Sequence, residues 1–308
     1  MTDCSALSAA LPVAPLQSLV TPETERAEVK LSVLREDQNH PQLSGNKWHK
    51  LQYHLHEALK KTSPTILSFG GAWSNHLHAL SYAAKAQDIK LIAMIRGGPF
   101  VTPSFTLLDL AANGTEIHYL SYAEYKLRNT PDFLTGLQEQ YGPFTLVPEG
   151  GGGVLGVRGC MDWAQSVVSR YGEFDTVVMA SGTGTTLAGW CLGISAKTCV
   201  MGVPVLKGDL TPLKQEIAQL IHEYGGGPHA SYTLLEDGHW GGYGKVPQTL
   251  KSWMLEIRAN YQLELDGIYT AKALYALFNQ MDKGLLKGQR VLFIHSGGLQ
   301  GNRGIAGL

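Results

Sequence analysis

The sequence predicts an α/β fold whose sheets are mostly parallel. Short apolar segments alternate along the chain with segments whose apolar residues recur at helical spacing. Glycine-rich loops follow several apolar segments, and glycine makes up 36 of 308 residues, about 12% against a usual 7%. Strands that alternate with helices favour parallel sheets covered by helices on both faces. At roughly 150 residues per domain, the length indicates one large or two moderate domains.

The first half of the chain contains a regular series of predicted elements. Val29, Leu31 and Val33 alternate with polar neighbours, which is typical of a half-buried strand. A helix is expected at residues 48–59, and Asn75 is a favourable cap for another. The other elements of this half are strands at 65–69, 91–95 and 116–120 and helices at 105–112 and 132–141.

The second half continues the series after an interruption. Gly150 to Gly153 break the pattern, which we interpret as a crossing between two domains. A strand at 175–179 then leads through a Gly/Thr-rich loop into a helix that begins near Leu187. The remaining elements are strands at 200–203 and 291–295 and helices at 213–224, 249–261 and 271–283.

Composition excludes several classes of function. Charged residues make up 17% of the chain, and 25 basic residues balance 26 acidic ones. No charge excess is available to bind nucleic acid or an anionic membrane, so we expect a small substrate. No apolar run reaches the length of a membrane span.

Cysteine use and the first residues indicate a cytoplasmic protein. Pro12 and Pro15 interrupt the early apolar stretch, and its only charge is acidic, so no secretory signal is expected. The four cysteines form no CxxC pair, which argues against a disulfide scaffold and a zinc ribbon. They are Cys4, Cys160, Cys191 and Cys199.

The Gly/Thr loop is a candidate anion site. Gly182, Thr183, Gly184, Thr185 and Thr186 lie between a predicted strand and helix, where backbone amides, hydroxyls and the helix dipole attract a phosphate. A dinucleotide fingerprint would need a further glycine after this loop, and no GxxxxGK[ST] occurs. An ordinary glycine-rich turn is the alternative.

Lys47 is a candidate catalytic amine. It follows Gly45 and Asn46 where a loop becomes a helix, and Lys50 lies one turn later. A catalytic lysine must lose its proton near neutrality, and a helix N-terminus and a second ammonium both disfavour its charged form. The alternative is a solvated surface lysine.

The segment Ser74-Asn75-His76 is a candidate substrate site. It follows a predicted strand, and its hydroxyl and backbone amides suit a carboxylate. A plain helix cap is the alternative. His76 and His78 do not share a helix face, and neither HExxH nor GxSxG occurs, so no metal site and no hydrolase nucleophile is expected.

A lysine, a phosphate cradle and a serine–asparagine turn together fit a pyridoxal 5'-phosphate site. Six short motifs appear in order: Arg35-Glu36-Asp37, Gly45-Asn46-Lys47 with Lys50, Gly70-Gly71 with Ser74-Asn75-His76, Gly182 to Thr186, Tyr243-Gly244 and His295-Ser296-Gly297-Gly298. In this order they resemble the family of D-cysteine desulfhydrases and 1-aminocyclopropane-1-carboxylate (ACC) deaminases, over roughly residues 15–298.

The resemblance implies the two-domain architecture of the tryptophan-synthase-β type (fold type II), with pyridoxal phosphate in the cleft. A small α/β domain would comprise residues 51–147, and residues 1–50 and 148–308 would form the large cofactor-binding domain. Relatives are commonly homodimers, so a homodimer is expected.

The resemblance also assigns roles to residues. Lys47 would form the Schiff base, Asn75 would bond the phenolic oxygen of the ring, and Ser296 would face the ring nitrogen. Lys50 and residues 182–186 would bind the cofactor, with the phosphate in the loop. Ser74, Asn75 and His76 would bind the substrate, and the catalytic residues would be Lys47, Ser74, Tyr243 and Tyr269.

Two departures from the deaminases favour D-cysteine as the substrate. The deaminases resemble one another in carrying Glu after the second tyrosine and Leu before the final Gly-Gly, where this chain has Thr270 and Ser296. A hydroxyl would leave the ring nitrogen neutral and weaken the electron sink, which suits prompt loss of a good leaving group.

The expected reaction is β-elimination of D-cysteine to pyruvate, ammonia and sulfide, with Lys47 or Ser74 as the base. Close alternatives are an ACC deaminase or another D-amino-acid lyase or racemase. A noncatalytic pyridoxal-phosphate-binding protein and a phosphate-binding module without cofactor belong to other classes.

Overall fold

Two sheets form the framework of the protein in the computed structural model, which describes residues 13–227 and 229–308. The larger sheet has the strand order β1-β2-β10-β7-β8-β9, and the smaller has the order β5-β4-β3-β6. All neighbouring strands are parallel except β1 and β2. The predicted α/β class with mostly parallel sheets is therefore confirmed.

The strands are short, as expected for parallel sheets joined by helices. Those of the larger sheet are β1 (Leu16–Ser18), β2 (Lys30–Arg35), β7 (Thr176–Ser181), β8 (Cys199–Pro204), β9 (Ser231–Leu234) and β10 (Arg290–His295). Those of the smaller sheet are β3 (Thr65–Gly70), β4 (Lys90–Arg96), β5 (Glu116–Leu120) and β6 (Thr145–Val147).

Helices connect the strands and cover the sheets. They are α1 (Pro22–Arg26), α2 (Lys47–Leu59), α3 (Asn75–Ala86), α4 (Phe105–Ala112), α5 (Tyr122–Lys126), α6 (Pro131–Tyr141), α7 (Gly153–Tyr171), α8 (Thr185–Gly193), α9 (Thr211–Glu223), α10 (Gln248–Tyr261) and α11 (Thr270–Asp282). Short 3-10 segments span Glu36–Gln38, Glu149–Gly151, Glu236–His239 and Leu299–Gly304. No helix in the described ranges is long and apolar enough to cross a membrane.

Strand β10 shows how the larger sheet is buried on both faces. Phe293 packs into a core cluster that includes residues of α10 and α11. Leu292 and Ile294 pack into a second cluster that includes Trp163 of α7 and Trp190 of α8. Side chains alternate between the faces of a strand, so a continuous apolar run fills both clusters.

Helix α7 was not predicted from the sequence. The glycines at 150–153 interrupt the regular elements as expected, and a helix of 19 residues starts at Gly153. A domain crossing at these glycines stays a prediction. Two glycines inside α7 allow close packing. A Cβ at Gly159 would lie 1.8 Å from the carbonyl oxygen of His49 in α2, and one at Gly156 would lie 2.1 Å from that of Gly151. Glycine is therefore required at these two positions for the close contacts.

Other elements also differ from expectation. Helix α8 begins at Thr185 rather than near Leu187. The sequence did not predict β1, β6 or β9, which have only three or four residues. Cys4 and Pro12 lie outside the described residues. The proposed boundary between residues 50 and 51 falls inside α2, and the division into domains stays a prediction.

Candidate active site

A cavity of about 440 Å³ lies where loops leave the carboxyl ends of strands in both sheets. Gly71 follows β3, Arg96 ends β4, Ser181 ends β7 and Ser296 follows β10. Parallel strands bring their carboxyl ends to one edge, which is where ligands bind in open α/β sheets. The size is within the range of small-molecule sites.

One wall is the N-terminus of α8. Its cap residue Gly184 has a φ of +76°, and no side chain caps the helix. A Cβ at Gly184 would lie 2.6 Å from Cγ1 of Ile217, so the turn requires glycine. The first amides of a helix have no partner within it. Without a cap or an acidic residue in the first turn, these amides are available to an anion.

A second wall is the N-terminus of α2. Gly45 has a φ of +83°, and a Cβ there would lie 2.0 Å from the carbonyl oxygen of Ser296. The amide of Asn46 donates to that same oxygen at 3.3 Å. This contact fixes the start of α2, and therefore Lys47, against the loop that follows β10.

Asn46 connects Lys47 to the Gly/Thr loop. The Lys47 Nζ donates to Asn46 Oδ1 at 2.7 Å, and Asn46 Nδ2 donates to Thr186 Oγ1 at 3.0 Å. Asn46 was not predicted as a site residue, although it precedes Lys47 directly. Its amide holds the amine beside the anion site.

The two lysines have lowered pKa values, for partly different reasons. Burial lowers the pKa of Lys47 to about 8, opposed by Cys160 and Asp266. Burial and then the charge of Lys47 lower the pKa of Lys50 to about 7. The sequence predicted that the Lys50 ammonium would lower the pKa of Lys47. In the structure, the charge of Lys47 instead lowers the pKa of Lys50. Lys50 Nζ donates to Thr183 Oγ1 at 3.3 Å, which directs it to the Gly/Thr loop.

A third wall is the N-terminus of α3. The Leu77 amide donates to Ser74 Oγ at 3.2 Å, so Ser74 is the helix cap, and its hydroxyl hydrogen remains free to donate. Asn75 Oδ1 accepts from Gln300 Nε2 at 2.9 Å. Because its oxygen is engaged, the Nδ2 group of Asn75 is the part left to donate into the cavity.

The His76 ring is neutral, and its one N–H is already engaged. Ser68 Oγ donates its hydrogen to the Val147 carbonyl oxygen at 2.7 Å, so it accepts from His76 Nε2–H at 2.8 Å. Burial, then the charge of Lys50, lowers the pKa of His76 well below its usual value. The ring therefore has no further hydrogen to donate to a substrate, and the backbone amide of His76 is its remaining donor.

Tyr243 and Tyr269 lie at the cavity with ring centroids 6.1 Å apart. Tyr243 is 46% exposed, whereas burial, followed by the effect of Tyr243, raises the pKa of Tyr269 well above its usual value. Tyr269 lies beside the Gly/Thr loop, because a Cβ at Gly182 would be 3.7 Å from its Cε1. Tyr269 keeps its proton throughout the neutral range.

The cavity brings together all the predicted site residues except Thr185. Thr185 is buried behind the lining, with its Oγ1 3.1 Å from that of Thr183. Thr270, used in the choice of substrate, does not line the cavity either. Its Oγ1 accepts from the Asp266 amide at 2.7 Å, so the hydroxyl stabilises the start of α11.

The remaining lining residues of interest were not predicted. They include Asn46, Trp73, Arg96, Glu149 and Gly150. Glu149 Oε2 forms an ion pair with Arg128 Nε at 3.2 Å. Asn46 and Trp73 each directly precede a predicted catalytic residue within its motif, and this was the signal for them. Gly150 belongs to the glycine run noted in the sequence, whereas Arg96 and Glu149 lie in segments without a motif.

The residues fit pyridoxal phosphate. The uncapped start of α8 and Lys50 suit its phosphate, and a buried amine of lowered pKa suits its aldehyde. Ser181 Oγ, at the cavity and buried, has no hydrogen-bond partner among the described residues, which leaves a polar group for a ligand.

Comparisons with known proteins agree with this fit. A family model described as "Pyridoxal-phosphate dependent enzyme" matches residues 10–297. The chain is 30% identical to a putative ACC deaminase of Thermotoga maritima, over 90% of this chain and 91% of that protein. It is 26% identical to a D-cysteine desulfhydrase of Klebsiella pneumoniae, over 87% of each. A solved ACC deaminase homologue matches with a TM-score of 0.79 and 25% identity, covering 98% of this chain and 96% of that one.

Proposed function

Because the chain belongs to the family of pyridoxal-phosphate dependent enzymes, we propose that it catalyses β-elimination of D-cysteine to pyruvate, ammonia and sulfide. Pyridoxal phosphate is its cofactor, and its reaction is lyase chemistry on a small amino acid. D-cysteine as the substrate, the roles of individual residues, a homodimer and a cytoplasmic location are the proposed parts.

The observation that carries the proposal is the position of Lys47. Its amine, held by Asn46, lies in one cavity with the uncapped start of α8 and the start of α3. Pyridoxal phosphate supplies an electron sink for negative charge at the α-carbon of the amino acid. In our proposal the start of α8 and Lys50 hold the phosphate, Asn75 Nδ2 donates to the ring oxygen, and Lys47 holds the aldehyde carbon.

Lys47 is also the base that we propose for the α-proton. Burial lowers the pKa of its free amine to about 8, so the amine is partly neutral at physiological pH and could accept a proton. Ser74 is the alternative. Its oxygen already accepts from the Leu77 amide, and this makes it a poorer base. Ser74 instead donates to the substrate carboxylate beside the amides of Asn75 and His76.

The two tyrosines complete the substrate side of the cavity. Tyr269 remains protonated, so its hydroxyl is suited to donate a proton or a hydrogen bond to the departing group. Tyr243, more exposed, stands at the entrance. We propose that both tyrosines contact the substrate rather than the phosphate.

The lining supports D-cysteine over the cyclopropane substrate. Glu149 is the one carboxylate among the described lining residues, and Arg128 already pairs with it. No carboxylate is then left to keep the ring nitrogen protonated, whereas Ser296 supplies a hydroxyl. A neutral ring nitrogen gives a weaker sink, which suffices when sulfide leaves promptly. ACC deamination is the second candidate, favoured by relatives named for that activity.

The test is the visible absorption spectrum of the purified holoenzyme before and after D-cysteine, with pyruvate and sulfide assayed in the same sample. We expect a cofactor band that changes while both products accumulate. A band that changes only with ACC would favour the second candidate, and a band without any turnover would leave a noncatalytic binding protein.

Lys47→Ala should lose the lysine-bound cofactor band and all turnover. Lys214→Ala, at an exposed position of α9, is the control and should behave as the native enzyme. Near-native turnover by Lys47→Ala would exclude the assignment of Lys47.

A further inference from the structure

Arg96 is a cavity cation that the proposed reaction does not use. It ends β4 and lines the cavity. Its guanidinium lies against the loop that leads to α3, because a Cβ at Gly71 would be 3.6 Å from Nη2. The Ser74 amide donates to the Gly71 carbonyl oxygen at 3.0 Å, so Arg96 adjoins the turn where the substrate carboxylate is proposed to bind.

No hydrogen bond or ion pair joins the Arg96 side chain to another described residue. Its near neighbour is the ring of Tyr125, whose centroid lies 5.5 Å from Cζ. The nearby carboxylate, Glu149, is paired with Arg128, which lies over the same ring at 4.8 Å. Of the two arginines on this ring, Arg96 has no anionic partner.

The phosphate and the α-carboxylate of the proposed complex already have binding partners other than Arg96. The cofactor phosphate has the start of α8 and Lys50, and the α-carboxylate has Ser74 and the amides of α3. Arg96 is exposed, whereas His76 at the start of α3 is buried. An exposed guanidinium beside the Gly71 turn is accessible to the side chain of a substrate whose α-carboxylate is held at that turn.

We propose that Arg96 selects amino acids whose β-substituent carries a negative charge: a thiolate, sulfonate or phosphate, which can leave, or a carboxylate, which binds without leaving. This inference rests on the proposed function for the elimination itself. In that step the α-proton passes to the base, a carbon–carbon double bond forms, and the bond to the β-substituent breaks with its electron pair going to the leaving group. Water then releases pyruvate and ammonia. Arg96 pairs with the charge that the substituent already carries before its bond breaks.

A binding experiment tests Arg96 without requiring turnover. Holoenzyme is titrated with aspartate and with its uncharged isostere asparagine, each as both enantiomers, and the change in the cofactor spectrum gives the dissociation constant. We expect aspartate to bind at least about 10-fold more tightly than asparagine, as for one charge-assisted hydrogen bond. Arg96→Gln should abolish this preference, and Arg96→Lys should keep part of it.

The control is Arg158→Gln in α7. Arg158 also lies over a tyrosine ring, at 4.2 Å from that of Tyr53, but does not line the cavity. It should leave the aspartate preference unchanged. An Arg96→Gln enzyme that weakens both ligands equally would place Arg96 on the α-carboxylate and overturn the proposal, as would a native enzyme without preference for aspartate.

A second arm separates this inference from the proposed function. S-sulfocysteine, which loses thiosulfate, is compared with β-chloroalanine, whose substituent is uncharged before it leaves. We expect Arg96→Gln to lower kcat/KM for S-sulfocysteine about 10-fold and to leave β-chloroalanine within about 2-fold. No elimination from either compound by the native enzyme would refute the proposed function, while the aspartate preference would still decide the role of Arg96.

Discussion

Helices α3 and α8 point their N-termini into the same cavity, but only one of them is capped. Ser74 caps α3 by accepting from the Leu77 amide at 3.2 Å. Helix α8 starts at Gly184 without any side-chain cap. The capped terminus has one amide fewer to offer but gains a hydroxyl donor. The uncapped terminus presents all its first amides.

The difference corresponds to the charge of the expected ligands. A phosphate carries close to two charges and accepts several amides, so it suits the uncapped start of α8 beside Lys50. A carboxylate carries one charge and suits the capped start of α3. In our proposal the two termini therefore divide cofactor and substrate between them, and Lys47 lines the same cavity. Four experiments test this division, from the largest expected effect to the smallest.

Gly184→Ala should have the largest effect of the four, because it displaces the first amides of α8 that are proposed to bind the phosphate. The new Cβ would lie 2.6 Å from Ile217 at a φ of +76°, which displaces the first amides. Loss of one or two charge-assisted hydrogen bonds should weaken pyridoxal phosphate binding about 100-fold. The dissociation constant is measured by titrating apoprotein with the cofactor and following the visible band.

Gly114→Ala is the control, since it has a φ of +79° with nothing within 4 Å of the new Cβ and does not line the cavity. Both substitutions should lower the free energy of unfolding by at least about 1 kcal/mol, because alanine is strained at positive φ, and Gly184→Ala should lower it further through the contact with Ile217. Equal cofactor affinity of the two variants would contradict the role of the α8 terminus.

The amine between the termini should react with the cofactor in a pH-dependent manner. Its pKa is lowered to about 8, so the neutral, reactive fraction grows as pH rises. The rate of capture by apoprotein should increase about 50-fold from pH 6 to pH 8 and level off above pH 9. Stopped-flow absorbance measures this rate. A rate that still climbs steeply above pH 10 would indicate an ordinary lysine, and Lys47→Ala is the control that should capture nothing.

Ser74→Ala tests the capped terminus. It removes both the cap and the proposed hydrogen bond to the substrate carboxylate, so kcat/KM should fall about 10-fold while cofactor affinity is kept. Ser121→Ala is the control, because Ser121 caps α5 by accepting from the Glu124 amide at 3.2 Å, away from the cavity. Both should cost about 1 kcal/mol of stability. A comparable loss of kcat/KM in Ser121→Ala would show that Ser74 acts only as a helix cap and does not contact the substrate.

Gln300→Ala should have the smallest effect. It frees Asn75 Oδ1, so the Asn75 amide can rotate and its Nδ2 no longer points steadily to the ring oxygen. We expect about a 3-fold loss of kcat, little change of KM and a shifted pH titration of the visible band. Gln140→Ala, which removes an exposed bond to Tyr141, is the control. An unshifted titration would show that Gln300 does not orient Asn75.

Periodicity and local chemistry determined much of this protein in advance. The helix predicted at 105–112 and the strand predicted at 116–120 have the observed bounds of α4 and β5. The motifs around Lys47, Ser74 and Gly182 all lie at the cavity. Such features could be predicted because a strand-to-glycine-to-helix transition is local, and parallel strands bring these transitions to one edge.

Contacts between distant segments decided the rest. Helix α7 was not predicted, and the contact of its Gly159 with α2 could not be read from local sequence. Thr270 looked like a pocket residue, but its hydroxyl bonds the Asp266 backbone. Arg96 and Gln300 had no motif at all. Whether a hydrogen-bond donor is free or engaged depends on which group, distant in sequence, lies beside it. Burial lowers the pKa of Lys47, and burial is a property of the folded chain alone.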